Sequence, residues 1–169
     1  MTPADDQAFL RLVRENEPRL RRICRVYARD ADGQKDLYQD MLVQIWRSLP
    51  SFAGGSSADT WLYRVALNTA LAHVRRRRTR RETPLIDADD RVDDAAGVDE
   101  QFDARQRVEQ LYAAIDRLSG PDKMLTMMYL DEKSYREMAD VLGISESNVG
   151  VRLHRIRKEL AGWLSEEPV

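Results

Sequence analysis

The chain of 169 residues is long enough for one ordinary domain or two small ones. Its net charge of −2 gives no sign of a nucleic-acid partner, and its single cysteine excludes an internal disulfide or a multi-cysteine metal site. The chain does not open with a basic segment and an apolar core, and no apolar run approaches the ~20 residues that span a bilayer, so we expect a soluble, cytoplasmic protein.

The charge is divided unevenly along the chain. Residues 1–81 carry 16 Lys and Arg against nine Asp and Glu, whereas residues 82–104 carry one Arg against nine acids. Residues 105–169 are nearly balanced, with ten basic and 11 acidic residues. This asymmetry is more informative than the overall charge, because it separates a basic segment from an acidic one.

The first helix is predicted to begin near Phe9. Pro18 should interrupt or restart it, because proline is tolerated best in the first turn of a helix. Cys24 lies on an apolar stripe, which indicates a buried structural thiol. A second helix is predicted from about Asp36 to Leu49, and the FAGGSS loop separates it from a third.

The third helix runs from about Ala58 into the tract RRRRTRR at 75–81. Six arginines in seven positions cover every side of a helix and repel one another without a polyanion, so the tract predicts phosphate binding. An RNA-binding tract, a membrane-surface tract and attachment to the acidic segment are alternatives. Trp61 or Tyr63 could stack on an unpaired base, although the spacing of Trp61 to Val65 favours core packing.

Hydrophobic periodicity disappears from Glu82 to about Asp103, where acidic residues dominate. So few large apolar residues cannot bury enough surface to offset the entropy of ordering, and residues 82–104 are predicted to be a flexible acidic linker. The helical pattern resumes with Val108, and a Ser-Gly-Pro break at 119–121 precedes a short helix.

Residues 134–160 have the pattern of a helix-turn-helix. Ser134 and Glu137 form an S-x-x-E capping box at the start of its first helix. Gly143 occupies a position that favours a left-handed residue, and Ser145 can cap the second helix. The first helix should bury the side chains spaced i, i+3, i+4 and i+7, which are Tyr135, Met138, Ala139 and Leu142.

The second helix should pack on the first through one apolar side, formed by Val149, Leu153, Ile156 and Leu160. Exposed residues near the start of a recognition helix reach base edges, and later cations meet phosphates. The candidates for base contact are Ser147, Asn148 and Val151. The candidates for phosphate or guanine contact are Arg152, Arg155 and Lys158, and His154 lies on the same exposed face.

No segment has the alternation of a half-buried strand, so the predicted fold class is all-α. Two small helical domains, 1–81 and 105–169, are joined by the linker. A free-standing helix-turn-helix regulator is one functional class, but it would usually dimerise and no dimerisation helix is evident. An enzyme is disfavoured, because no phosphate-cradling glycine motif occurs and His73 and His154 lie on basic helix faces. No cofactor or metal is expected.

Three strings together carry a family resemblance: DLYQDMLVQIWRSLPSF at 36–52, TWLYRVALNTALAHVRRRRTR at 60–80 and SYREMADVLGISESNVGVRLHRIRKEL at 134–160. The chain resembles a bacterial RNA polymerase sigma factor of the extracytoplasmic-function (ECF) group, which keeps only sigma domains two and four. The resemblance covers nearly the whole chain. It implies a factor that directs core RNA polymerase to promoters and opens the strands, with no catalysis of its own.

The resemblance also implies particular contacts with the polymerase. The second helix would dock on the clamp coiled coil of the β′ subunit, and the C-terminal domain would meet the β flap. Trp46 would serve only the domain core. The polar contacts to the clamp would be Asp36, Gln39 and Asp40, and the apolar ones Leu37 and Met41. A dedicated anti-sigma protein is a further partner that the resemblance implies.

The resemblance implies that the loop at 52–58 captures a base flipped from the promoter −10 element. The helix-turn-helix would read the −35 element, and the linker would thread toward the active-site cleft and RNA exit channel. An alternative for the linker is that it folds back on the basic domain, which unchanged DNA affinity after neutralising its acids would exclude. The implied −10 contacts are Trp61, Arg64, Asn68, Arg75, Arg76, Arg77 and Arg78.

Gly150 and Val151 depart from the family pattern, which often has a Lys or Arg followed by a Ser. Glycine inside a helix costs about 1 kcal/mol relative to alanine, and a cation is lost from the DNA-proximal turn. Val151 offers an apolar group that suits a thymine methyl. We therefore expect a −35 preference that differs from the family's commonest motif.

Overall fold

The computed structural model describes residues 3–52, 54–81 and 99–166. All regular structure within these ranges is helical, which confirms the predicted all-α fold. The chain divides into two compact units, Met1–Asp90 and Arg91–Val169, called here the N-terminal and C-terminal units. None of the helices in these ranges is both long and apolar enough to cross a membrane.

Most of the predicted acidic linker, residues 82–98, lies outside the described residues. Its last part, 99–104, forms the start of a helix, Asp99–Asp116. An acidic segment is compatible with a helix start, because carboxylates in the first turn interact favourably with the helix dipole.

The N-terminal unit is a bundle of three helices, α1 (Pro3–Tyr27), α2 (Ala31–Ser48) and α3 (Ala58–Arg81), with a 3-10 turn at Leu49–Ser51. Each of the three helices contacts the other two. Their apolar faces meet in one core, whose side chains are at most 1% exposed: Leu20, Ile23, Leu37, Met41, Ile45, Leu62, Tyr63, Ala66 and Ala70.

Helix α1 continues through Pro18, so the predicted interruption was wrong. A proline inside a helix removes one backbone hydrogen bond. The apolar face nevertheless continues beyond it, since Leu20, Ile23 and Cys24 are all buried. Tertiary packing of such a face is the main source of helix stability in proteins, and it outweighs the single lost bond.

Helix α2 begins five residues before the predicted start at Asp36. Asp30 is its N-cap, and one carboxylate oxygen accepts a hydrogen bond from the amide of Gly33 at 2.7 Å. This bond satisfies a backbone donor that would otherwise lack a partner at the helix start. A carboxylate just before the first turn is also placed favourably for the helix dipole.

The C-terminal unit contains α4 (Asp99–Asp116), α5 (Gly120–Leu130), α6 (Tyr135–Leu142) and α7 (Glu146–Glu166). Helix α7 contacts the other three and is the centre of the unit. Its predicted apolar side is confirmed for Val149, Leu153 and Ile156, which are buried, while Leu160 is partly buried.

The helix-turn-helix forms as its sequence predicts. The reciprocal capping box of Ser134 and Glu137 is present, and Gly143 ends α6 in the left-handed region with φ of 67°. The hydroxyl of Ser145 accepts a hydrogen bond from the amide of Asn148 at 3.2 Å. Tyr135 was predicted to be buried, but it is 41% exposed. It is the first residue of a short helix and lies at the edge of the core.

The buried thiol of Cys24 supplies a test of this core. Burial raises its pKa to about 12. An unfolded cysteine ionises near pH ~8.5, so the folded chain holds this proton more tightly, and the resulting contribution to stability is lost as pH rises from ~8.5 toward 12. At about pH 8, iodoacetamide should label the native protein at least about 100-fold more slowly than the chain unfolded in guanidinium.

Because Cys24 is the only cysteine, the labelling rate reports on this position alone. Equal labelling rates in the native and unfolded protein would contradict the burial of the thiol.

Candidate nucleic-acid interface

The N-terminal half of α7 exposes both polar and apolar side chains to solvent. The predicted base-contact residues Ser147, Asn148 and Val151 are all exposed. Val151 is 67% exposed, the highest value among the exposed large apolar side chains of the described ranges. Such a face can donate and accept hydrogen bonds at base edges and contact a thymine methyl.

The cations of α7 are not equally available. The Nε atom of Arg152 lies 3.0 Å from Oδ1 of Asp122 on α5, in a charge contact whose angle does not make a hydrogen bond. Arg155 donates from Nη2 to the other oxygen of Asp122 at 3.0 Å. His154 and Lys158 are exposed. Among the cations predicted to contact DNA, Arg152 and Arg155 are therefore partly neutralised by ion pairs within the protein.

Arg157 lies on another side of α7 and contacts a different element. Its guanidinium carbon is 4.7 Å from the ring centroid of Tyr129 on α5. Stacking of this kind stabilises the cation on the protein surface. Arg157 was not among the predicted DNA contacts, and its placement agrees with that.

The arginines of the tract at 75–81 differ in the contacts that they make. Arg76 donates to Asp40 and Arg77 donates to Asp30, each at 2.6 Å. Both carboxylates belong to α2 or its N-cap, so these two arginines join α3 to α2. These ion pairs would compete with the DNA contacts predicted for Arg76 and Arg77. Arg75 and Arg78 are exposed.

The remaining predicted residues of α3 form a stripe. At 100° per residue, Arg64, Asn68, Arg75 and Arg78 fall on one side of the helix. All four side chains are exposed. The stripe offers three cations and an amide along one side of α3, a pattern that suits a nucleic-acid backbone.

The close approach of Arg77 to Asp30 depends on Gly33. A Cβ atom at position 33 would collide with the guanidinium of Arg77 and would lie 3.1 Å from the carboxylate of Asp30. Glycine is therefore the residue that lets the cation reach the capping carboxylate. The ion pair between Asp30 and Arg77 therefore depends on the absence of a side chain at Gly33.

The aromatic residues near α3 differ in accessibility. Tyr63 is 1% exposed and lies under the guanidinium of Arg19, so the suggestion that it stacks on a base was wrong. Trp61 is partly buried, and its ring is 5.1 Å from that of Phe52. This packing agrees with the core role that the spacing of Trp61 favours, and leaves part of the ring open.

The sequence places His73 on a basic helix face, but the side chain is buried. Its Nδ1 atom lies 3.5 Å from Asp40, and its Nε2 atom has no hydrogen-bond partner among the described residues. The arginines that follow it made the whole helix face look solvated. The packing of α3 on α2, which covers His73, is a tertiary contact that the local pattern does not contain.

The predicted polymerase-binding residues of α2 divide between core and surface. Leu37 and Met41 are 0% exposed, so the prediction that they contact the polymerase directly was wrong. Asp36 and Gln39 are exposed. The sequence reasoning missed Val43, which is 45% exposed and follows Asp36 by seven residues, on the same side of the helix.

Asp122 was also missed. The sequence does contain a signal for a helix start near Asp122, because Ser119 lies three residues earlier and caps α5. Its pairing with α7 joins residues about 30 positions apart and has no local signal. The described residues contain no group of three or more His, Cys, Asp or Glu that could hold a metal ion. What the exposed surfaces provide is cations, amides and hydroxyls suited to binding.

Comparison with known proteins decides the family. Residues 12–80 match the family model for Sigma-70 region 2, and residues 108–160 match that for Sigma-70, region 4. The chain is 34% identical over 128 residues to the RNA polymerase sigma factor YlaC of Bacillus subtilis, covering 75% of this chain and 74% of that one. The chain belongs to the sigma-70 family of RNA polymerase sigma factors.

A second relative is named as a member of the ECF group. The ECF RNA polymerase sigma factor SigM of Mycobacterium tuberculosis is 26% identical over 162 residues, covering 95% of this chain and 79% of SigM. The fold is similar to that of the sigma factor RpoE from Bartonella quintana, solved with the anti-sigma factor NepR. That likeness has a TM-score of 0.70 at 21% identity and covers 99% of this chain and 100% of RpoE.

A sigma factor is an initiation factor: it binds core RNA polymerase and directs promoter recognition and strand opening. The two matched regions correspond to the two helical units, one with the arginine tract and one with the helix-turn-helix. The predicted family and function are confirmed.

The Asp30–Arg77 pair gives a direct test of the geometry around the tract. Burial alone would raise the pKa of Asp30, but hydrogen bonds from the Gly33 amide and the Arg77 guanidinium outweigh it and hold the pKa below its ordinary value. The stability that this carboxylate contributes is therefore lost as pH falls through its lowered pKa.

In Arg77→Gln, the pKa of Asp30 should rise toward the ordinary value, as followed by NMR titration of the carboxyl carbon. Arg75→Gln is the matched control, since Arg75 donates to the carbonyl of Leu71 on its own helix. A pKa that is the same in Arg77→Gln and the unaltered protein would contradict the ion pair.

Proposed function

We propose that this sigma factor reads promoters with two separate helical surfaces. The exposed stripe of α3 contacts the −10 element, and the N-terminal half of α7 reads the −35 element. The observation that carries the proposal is the α3 stripe, where Arg64, Asn68, Arg75 and Arg78 lie exposed on one side. Three cations aligned along a helix suit a strand whose phosphates are evenly spaced.

The proposed −10 surface includes the loop before α3. Gly54 and Gly55 are exposed, and a Cβ atom at either position would meet nothing within 4 Å. This exposed loop would admit a base pulled from the stack, and the part of the Trp61 ring not covered by Phe52 would contact that base. Arg76 and Arg77 take a supporting role, because they are paired with α2.

The proposed −35 contacts lie on α7. Ser147, Asn148 and Val151 contact base edges, while His154 and Lys158 contact the backbone. Arg152 and Arg155 contact DNA with the guanidinium N–H groups that Asp122 does not use. A guanidinium has five N–H donors in a fixed fork, so one ion pair leaves donors available.

The proposed polymerase surface is the exposed side of α2, formed by Asp36, Gln39 and Val43, with Asp40 beside it. The C-terminal unit would meet the β flap. We also propose an anti-sigma partner, supported by the RpoE structure, which was solved with one. As a polymerase-binding factor, the protein would act in the cytoplasm and catalyse no reaction of its own.

Transcription in vitro with core RNA polymerase, with and without the protein, tests the function. We expect transcripts with defined start sites from a promoter library only when the protein is present. Asp36→Asn should weaken association with core polymerase by roughly tenfold, because a charged contact contributes about 1.5 kcal/mol or more. The measurement is a binding titration of labelled protein with core polymerase.

Asp32→Asn is the matched control for this titration, since Asp32 is an exposed carboxylate one turn earlier on the same helix. It should bind core polymerase as the unaltered protein does. A library that yields no protein-dependent transcripts would sink the proposed function, and equal losses in the two variants would sink the proposed α2 surface.

Val151 should determine part of the −35 preference. In Val151→Ser, the preference for thymine at the contacted position should fall by about 1 kcal/mol or more, because an apolar contact with the methyl is lost. Footprinting on a promoter library with a randomised −35 element measures this. Val108→Ser on α4, an exposed valine of the same unit, is the control. An unchanged preference in Val151→Ser would exclude the contact.

A further inference from the structure

Asp122 is the one acidic side chain that is buried in the described ranges, with 4% exposure. It is the third residue of α5. A carboxylate that has lost its water is unfavourable unless it is paired and hydrogen-bonded. Its surroundings therefore show which groups pair with it and which side chains it positions.

Three groups surround this carboxylate. Two are the guanidinium groups of Arg152 and Arg155, which reach it from α7. The third is the hydroxyl of Ser119, which donates to Oδ2 at 2.7 Å. Ser119 also accepts from the amide of Asp122 and caps α5. The carboxylate is thus fixed to its own helix and joins that helix to the DNA-reading one.

The two arginines differ in how far they are withdrawn from solvent. The side chain of Arg152 is 24% exposed, whereas that of Arg155 is 55% exposed and also lies 3.8 Å from Glu159. Long cationic side chains have many rotamers, and an ion pair with a buried anchor restricts them. Both arginines are therefore held in place before DNA arrives.

The pairing also lowers the charge that α7 offers to any phosphate. Sequence-independent affinity for DNA grows with the number of phosphates that a protein neutralises, and so does its salt dependence. Two unpaired arginines on α7 would strengthen binding to every sequence alike. A carboxylate between them removes much of that attraction and leaves Ser147, Asn148 and Val151 to distinguish sequences.

We propose that Asp122 is a positioning residue for promoter reading, because it anchors Arg152 and Arg155 and limits their attraction to DNA of any sequence. The inference rests on the proposed −35 role of α7 and adds a determinant of selectivity that makes no contact with DNA. It predicts an effect of unusual sign: removing this acidic residue increases non-specific affinity while it reduces discrimination.

The first experiment measures binding of the full-length chain to mixed-sequence duplex DNA over a range of salt concentrations. In Asp122→Asn, the slope of log affinity against log salt should be steeper by about one for each arginine released. Asp116→Asn is the matched control, because Asp116 is a carboxylate of the same unit that is ion-paired at 2.7 Å with Lys123. An unchanged or shallower slope in Asp122→Asn would overturn the proposal.

The second experiment measures discrimination with the holoenzyme. Core polymerase with Asp122→Asn should select −35 sequences from a randomised library less strictly than the holoenzyme with the unaltered protein. A steeper salt slope with an unchanged −35 preference would also overturn the positioning role, since Asp122 would then act by charge alone. Protein-dependent transcripts from the same library show that the sigma function itself is intact, so its failure is distinguishable.

A third comparison does not depend on the folding of Asp122→Asn. Arg155 and Lys158 are both exposed cations of α7, but only Arg155 is paired with Asp122. Lys158→Gln should make the salt slope shallower by about one, whereas Arg155→Gln should change it much less. Equal effects of the two substitutions would overturn the proposal.

Discussion

Helices α3 and α7 of this sigma factor each concentrate cations, and like charges at neighbouring positions of a helix repel one another. The fold places carboxylates of an adjacent helix against part of each cationic set. Asp30 and Asp40 serve α3, and Asp122 serves α7. These pairs join α3 to α2 and its N-cap, and α7 to α5.

The sequence predicts features that depend on neighbouring residues. The capping box at Ser134, the left-handed Gly143 and the apolar side of α7 are encoded within a few positions, and each forms as expected. The exposure of Val151 follows from the same helical periodicity. The family was recognisable because two such blocks occur in the right order.

The misjudged features depend on contacts between distant segments. Neither the burial of His73 nor that of Tyr63 has a local signal, because each results from packing on another helix. Periodicity identifies an apolar side but not whether a partner covers it, which is why Leu37 and Met41 were assigned to a contact surface. Pro18 was judged by its own propensity, without the buried face that continues beyond it.

The absence of a side chain at Gly33 has a consequence for how this protein can diverge. Any larger residue there forces the end of the Arg77 side chain to shift beside Asp30. A single substitution in one helix would thereby move a cation of another helix without replacing any arginine. Position 33 is a site from which a substitution in α2 acts on the charge distribution of α3.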